Sequence, residues 1–120
     1  MVKLERTGAI TTDSSGDATA TIALPPGRVI AIAYFKTDYA NGVDFDIQSG
    51  MGDELWDEDN VNAAQVQYPR VTVQGGTGSD VTYDGSNAIY EAPVSYGSAA
   101  ITVASGGDTK SGEFAFFIET

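Results

Sequence analysis

The sequence predicts an all-β domain, and three observations carry that prediction. Apolar and polar residues alternate through several short runs, such as Val43, Phe45 and Ile47 against Asp44 and Asp46. Half-buried antiparallel strands require this alternation, and it leaves the two aspartates solvated. Turn signals recur at roughly ten-residue intervals, the spacing of a sandwich or barrel and not of a βαβ fold. The run Arg28–Lys36, RVIAIAYFK, is apolar on both faces, with Val29, Ala31, Ala33 and Phe35 on one and Ile30, Ile32 and Tyr34 on the other. Pro25-Pro26-Gly27 precedes it, and Asp38, Asn41 and Gly42 follow. It is therefore too short for a helix and reads as an interior strand. The expectation is one antiparallel β-sandwich over residues 1–120, jelly-roll-like or immunoglobulin-like, with about seven to nine strands and little helix.

In chain order, Met1–Arg6 holds two basic residues, Lys3 and Arg6, and residues 1–8 are a candidate N-terminal arm. Thr11–Gly16 is turn-rich. Ala18–Leu24 alternates as a strand, with Ala18, Ala20, Ile22 and Leu24 on one side. Asp38–Gly42 suits a hairpin loop into the Val43–Ile47 strand. Gly50-Met51-Gly52 opens the most acidic stretch, Asp53–Asn60, which allows a single helical turn around Glu54–Asp57. Val61–Tyr68 alternates weakly before Pro69, a residue of strand breaks and edges. Val71 and Val73 mark a short strand, and Tyr83–Asn87 a turn. Two rows close the chain: Ala99, Ile101 and Val103, then Phe114, Phe116 and Ile118, with Phe117 an extra apolar residue on the opposite face. Ser105–Gly112 between them reads as a long hairpin loop. Core candidates are Ile22, Leu24, Val29, Ile30, Ile32, Phe35, Phe45, Ile47, Ile101, Val103, Phe114, Phe116 and Ile118.

Composition narrows the chemistry. The 120 residues suffice for one core, and 42% hydrophobic content argues against disorder. With no cysteine there is no disulfide framework, thiolate metal site or cysteine nucleophile. With no histidine, the commonest general base and transition-metal ligand is missing. A formal charge of −11 repels nucleic acid and anionic membranes, so neither is an expected partner. No segment has transmembrane length, and no apolar run follows Lys3 and Arg6 as in a signal peptide, so synthesis in a cytoplasm is expected.

The acids Asp53, Glu54, Asp57, Glu58 and Asp59 with Asn60 offer the oxygen ligands that calcium takes. They lack the central glycine and closing glutamate of an EF-hand loop, and close carboxylates in a loop are more often simply solvated. Paired carboxylates also serve glycoside hydrolysis, but only when they face each other across a cleft. Gly75-Gly76-Thr77-Gly78 and Ser105-Gly106-Gly107 resemble phosphate loops only in glycine content, without the Lys-Ser/Thr ending. The reading is a binding protein and no enzyme, with no cofactor, no metal and no catalytic residue. Trp56, Tyr68, Tyr83, Tyr90 and Tyr96, in or beside loops, hint at a contact surface.

Three segments carry a family resemblance: Gln67-Tyr68-Pro69-Arg70-Val71-Thr72-Val73, Val81-Thr82-Tyr83-Asp84-Gly85, and Ile101 through Gly112, ITVASGGDTKSG. With Thr11–Ile22 and Gly27–Tyr34, they make most of the chain resemble a family of small structural proteins of tailed bacteriophages. The resemblance implies a capsid decoration, or cement, protein on the outer surface of the phage head, with the major capsid protein as partner. It also implies a homo-oligomer, dimer or trimer. No contact residue carries over by motif. From residue type and position, the candidates are Lys3, Leu4 and Arg6 of the arm, with Trp56, Tyr68 and Arg70 of the loops. The alternatives are a carbohydrate-binding or adhesion module on the virion, using Trp56 and the loop tyrosines, or a tail structural protein.

Overall fold

A computed structural model describes all of residues 1–120. The chain is all-β, with eleven strands and no helix: β1 (Val2–Arg6), β2 (Ile10–Thr11), β3 (Ala18–Ala23), β4 (Arg28–Phe35), β5 (Val43–Ser49), β6 (Glu54–Val61), β7 (Gln65–Gln67), β8 (Val71–Thr72), β9 (Tyr90–Glu91), β10 (Ser98–Ala104) and β11 (Ser111–Glu119). Two antiparallel sheets dominate, ordered β1-β11-β4-β7 and β3-β10-β5-β6, and β2 also pairs with β11. The last two long strands are central to both sheets, β11 between β1 and β4 and β10 between β3 and β5. β8 and β9 pair only with each other, an excursion outside both sheets.

The sheets share one core, a sandwich-like arrangement. Phe45 of β5 lies 4.9 Å from Tyr34 of β4 and 5.0 Å from Phe114 of β11, centroid to centroid. Around these rings pack Val29, Ile32, Ile47, Ile101, Val103, Phe116 and Ile118, all fully buried. The alternation in β5, β10 and β11 is therefore the core pattern read from the sequence. Leu24 is buried as well, and Ile22 packs at the margin.

Two expected core residues, Ile30 and Phe35, lie on the outer face instead. Phe117 pairs with Ala31 and Ile118 with Val29, so Ile30 has no partner across the strand. This bulge shifts the phase of β4. Val29 points inward before it and Ile32 and Tyr34 after it, which turns Ala31, Ala33 and Phe35 outward. β4 is interior, as expected, because β11 and β7 flank it.

Both expected hairpins are crossings between sheets: β4 joins β5, and β10 joins β11, in the opposite sheet. The first crossing is anchored by Tyr39, buried with its hydroxyl donating to the Ile10 carbonyl. In the second, the Lys110 amide donates to Thr12 Oγ1 at 2.9 Å, and the Gly106 amide to the Gly16 carbonyl.

The acidic stretch is strand β6, with neither helical turn nor loop. Ile47 pairs with Trp56 and Gln48 with Glu54, leaving Leu55 as an extra residue. A second irregularity sets Asp44 opposite Asp59 and Asn60. The candidate arm is also a strand: β1 lies along β11 from Val2 opposite Glu119 to Arg6 opposite Ala115.

Candidate functional site: two unlike sheet faces

The outer face of the β1-β11-β4-β7 sheet is apolar. Ile30, Ala31, Ala33 and Phe35 of β4, Val66 of β7, Tyr68 and Phe117 of β11 line an open groove of about 460 Å³. Leu4 of β1 stands opposite Phe117 and extends this surface to the sheet edge, half exposed. A strand apolar on both sides, packed on a core by only one, leaves apolar surface in water. The sequence carried that signal in RVIAIAYFK and in the extra Phe117.

Two basic groups, Arg6 and Arg70, border the groove, while Arg28 sits apart among Glu91, Val94 and Tyr96. Arg6 Nε lies 2.7 Å from Glu113 Oε1, and its guanidinium carbon sits 5.1 Å from the Phe35 ring centroid. That pairing raises the Arg6 guanidinium further and holds the Glu113 carboxyl below the usual range, the hydrogen bond being the larger cause in both. Arg28 Nη1 donates to the Ala92 carbonyl and lies 3.5 Å from Glu91. Arg70 Nη1 donates to the Ile30 carbonyl at 3.2 Å, which ties the segment after β7 to the bulge in β4.

The opposite sheet presents an acidic outer face. Asp44 and Asp46 of β5 and Asp57 and Asp59 of β6 surround a shallow depression floored by Thr102 and Ala104. Carboxylate oxygens of Asp46, Glu54 and Asp57 lie within 4.8 Å of one another. These are the oxygens that could hold a hard cation, and only Glu54 and Asp57 come from the run singled out in the sequence. Asp44 and Asp46 are half-buried instead of fully solvated, because side chains of the irregular β6 crowd them. Asp46 Oδ1 has no hydrogen-bond partner. The crowding pushes the Glu54 carboxyl up to about 7, mainly because its protonated form donates to Asp46, with desolvation next. Burial and then the neighbouring Asp46 raise Asp57 in the same direction.

The expected contact residues separate. Lys3, Leu4 and Arg6 share the edge strand β1, and Leu4 and Arg6 lie on the apolar face beside Phe117 and Ala115. Tyr68, 63% exposed, lines the groove, and Arg70 lies just beyond it. Trp56 does not belong with them. It is only 3% exposed, packed edge-on against Phe45 with centroids 4.8 Å apart, and its indole N–H donates to Glu58. The Leu55 bulge explains this, because it places two consecutive side chains, Leu55 and Trp56, on the core side. Of the aromatics thought to mark a contact surface, Tyr68, Tyr83, Tyr90 and Tyr96 are exposed. No family model matches the chain, and no curated protein matches it.

Proposed function

We propose that this chain is a structural protein of a tailed-phage virion. It decorates the outside of the assembled head and docks on the major capsid protein through the outer face of the β1-β11-β4-β7 sheet. One observation carries the reading: one sheet face is apolar with Arg6 and Arg70 beside it, and the other is lined by Asp44, Asp46, Asp57 and Asp59. A decoration protein needs that division. One face desolvates against the shell, and the other keeps many crowded copies soluble and mutually repelling. The resemblance of Gln67–Val73 and Ile101–Gly112 to phage structural proteins supports the same assignment.

The mechanism is linkage. A protein that binds the assembled shell and not its free subunits stabilises the shell by the free energy of that binding. Arg70, the arginine beside the groove without a carboxylate partner, favours a shell surface whose apolar patch carries a carboxylate. Adding purified protein to heads that lack it should raise the temperature at which they release DNA, and a Val66→Asp variant should not. Heads equally heat-resistant with and without the protein would defeat the proposal.

A second reading, a glycan-binding or adhesion module, draws on Tyr83 and Tyr90, both exposed on the β8–β9 excursion. It loses Trp56 as a sugar platform. Glycan-array binding abolished by Tyr83→Ala would favour it over decoration.

A further inference from the structure

We propose that β1 is a homodimerisation edge, pairing antiparallel with β1 of a second copy about a two-fold axis through Leu4. The inference does not rest on the virion reading, and its test uses only the purified chain.

The backbone of β1 has the phase that such pairing needs. At the two ends of its ladder with β11, the Thr7 amide donates to the Phe114 carbonyl and the Thr120 amide to the Met1 carbonyl. Hydrogen-bonded pairs alternate along an antiparallel ladder, so Lys3 and Glu5 also direct their main-chain groups at β11. Val2, Leu4 and Arg6 therefore turn N–H and C=O to the free edge. A two-fold axis through Leu4 pairs it with the partner's Leu4, and pairs Val2 with the partner's Arg6. Every outward main-chain group of β1 then finds a donor or acceptor.

The side chains are complementary in the same register. Val2-Lys3-Leu4-Glu5-Arg6 reversed on itself sets Lys3 opposite the partner's Glu5, and Glu5 opposite the partner's Lys3. These fall at non-hydrogen-bonded positions, where cross-strand side chains approach most closely. Leu4, 50% exposed, meets its own copy on the outer face. The two apolar faces then join into one surface that runs through Phe117 of both copies. An isologous contact of this kind closes on itself and does not propagate.

The other sheet edges lack these properties. β6 is irregular at two places and carries Glu54, Asp57, Glu58 and Asp59, which would face like charges in a copy. β7 is only Gln65–Gln67. β3 is regular but uncharged, ATATIA, with nothing to fix a register.

Sedimentation equilibrium of the purified protein should give twice the 12.5 kDa chain mass. Lys3→Glu alone, or Glu5→Lys alone, sets like charges opposite each other twice per dimer and should weaken it roughly tenfold or more. The double variant Lys3→Glu/Glu5→Lys restores opposite charges and should dimerise again. An equimolar mixture of the two single variants should form a mixed dimer. Circular dichroism of each single variant confirms that it is folded. A wild-type chain that stays monomeric at every concentration reached, a trimer, or a dimer indifferent to both single changes would overturn the proposal.

Discussion

Tyr34 and Tyr39 stack in the core with ring centroids 6.3 Å apart, yet only the Tyr39 hydroxyl has a partner, the Ile10 carbonyl. Burial is the main cause that pushes both phenols up to about 12, so neither ionises in the working range. The pair makes an internal control. Tyr39→Phe removes a buried hydrogen bond and should cost about 1 kcal/mol, whereas Tyr34→Phe removes an unsatisfied hydroxyl and should be neutral or slightly stabilising. Urea unfolding of the two variants checks the contrast.

Tyr39 also sets the fate of Gly112. A Cβ at Gly112 would overlap the Tyr39 ring, which lies against that stretch of β11. Gly112→Ala must displace the ring and should cost about 1–3 kcal/mol, lowering the melting temperature. An unchanged melting temperature would mean that Tyr39 does not sit there.

Trp56 is the chain's one tryptophan, so fluorescence reports on it alone. Emission should be blue-shifted and poorly quenched by iodide in the native state. Trp56→Ala should cost about 3–5 kcal/mol, as for a large side chain removed from a core. Red-shifted, readily quenched emission would return Trp56 to the surface.

Protonation of the acidic face gives stability a definite pH dependence. Folding raises the Glu54 carboxyl from near 4.5 to about 7, so the native state holds a proton that the unfolded chain releases. That stabilisation is complete below about 4.5 and is lost as pH rises through about 7. Asp57 shifts the same way. Asp84 has the opposite sign. The Asn87 amide, then the Ser86 amide, lowers it from 3.8 to about 2, so its contribution is present above 3.8 and lost as pH falls through about 2. Glu113, lowered by Arg6, acts in the same direction as Asp84. The melting temperature should climb as pH drops from about 7 towards 4.5 and fall again in stronger acid. Glu54→Gln should flatten the upper limb, and an unaltered slope would remove Glu54 from the account.

The sequence disclosed what period-two alternation can encode and missed what interrupts it. The inward rows Val43-Phe45-Ile47 and Phe114-Phe116-Ile118 were legible because each holds one phase. Phe35 was misplaced because a bulge in β4 flips the phase with no fixed sequence signature, Ile30 because one face of that strand is left uncovered, and Trp56 because its acidic stretch reads as a loop instead of strand β6. The crossings at Asp38–Gly42 and Ser105–Gly112 were mistaken for hairpins, because a turn-rich loop does not reveal which sheet the next strand joins. Of the expected contact residues, chosen by residue type, Leu4, Arg6, Tyr68 and Arg70 lie on or beside the groove. The groove between Val66 and Phe117 depends on pairing across β4 and β11, which periodicity does not report.

The central claim, that this protein docks on the outside of a phage head by its apolar sheet face, is tested most directly by cryo-electron microscopy of virions. Ordered density is expected on the outer shell, with Val66, Tyr68 and Phe117 turned towards the major capsid protein and Asp44, Asp46, Asp57 and Asp59 towards solvent. Density on the tail, or a copy seated on the shell by its acidic face, would contradict it.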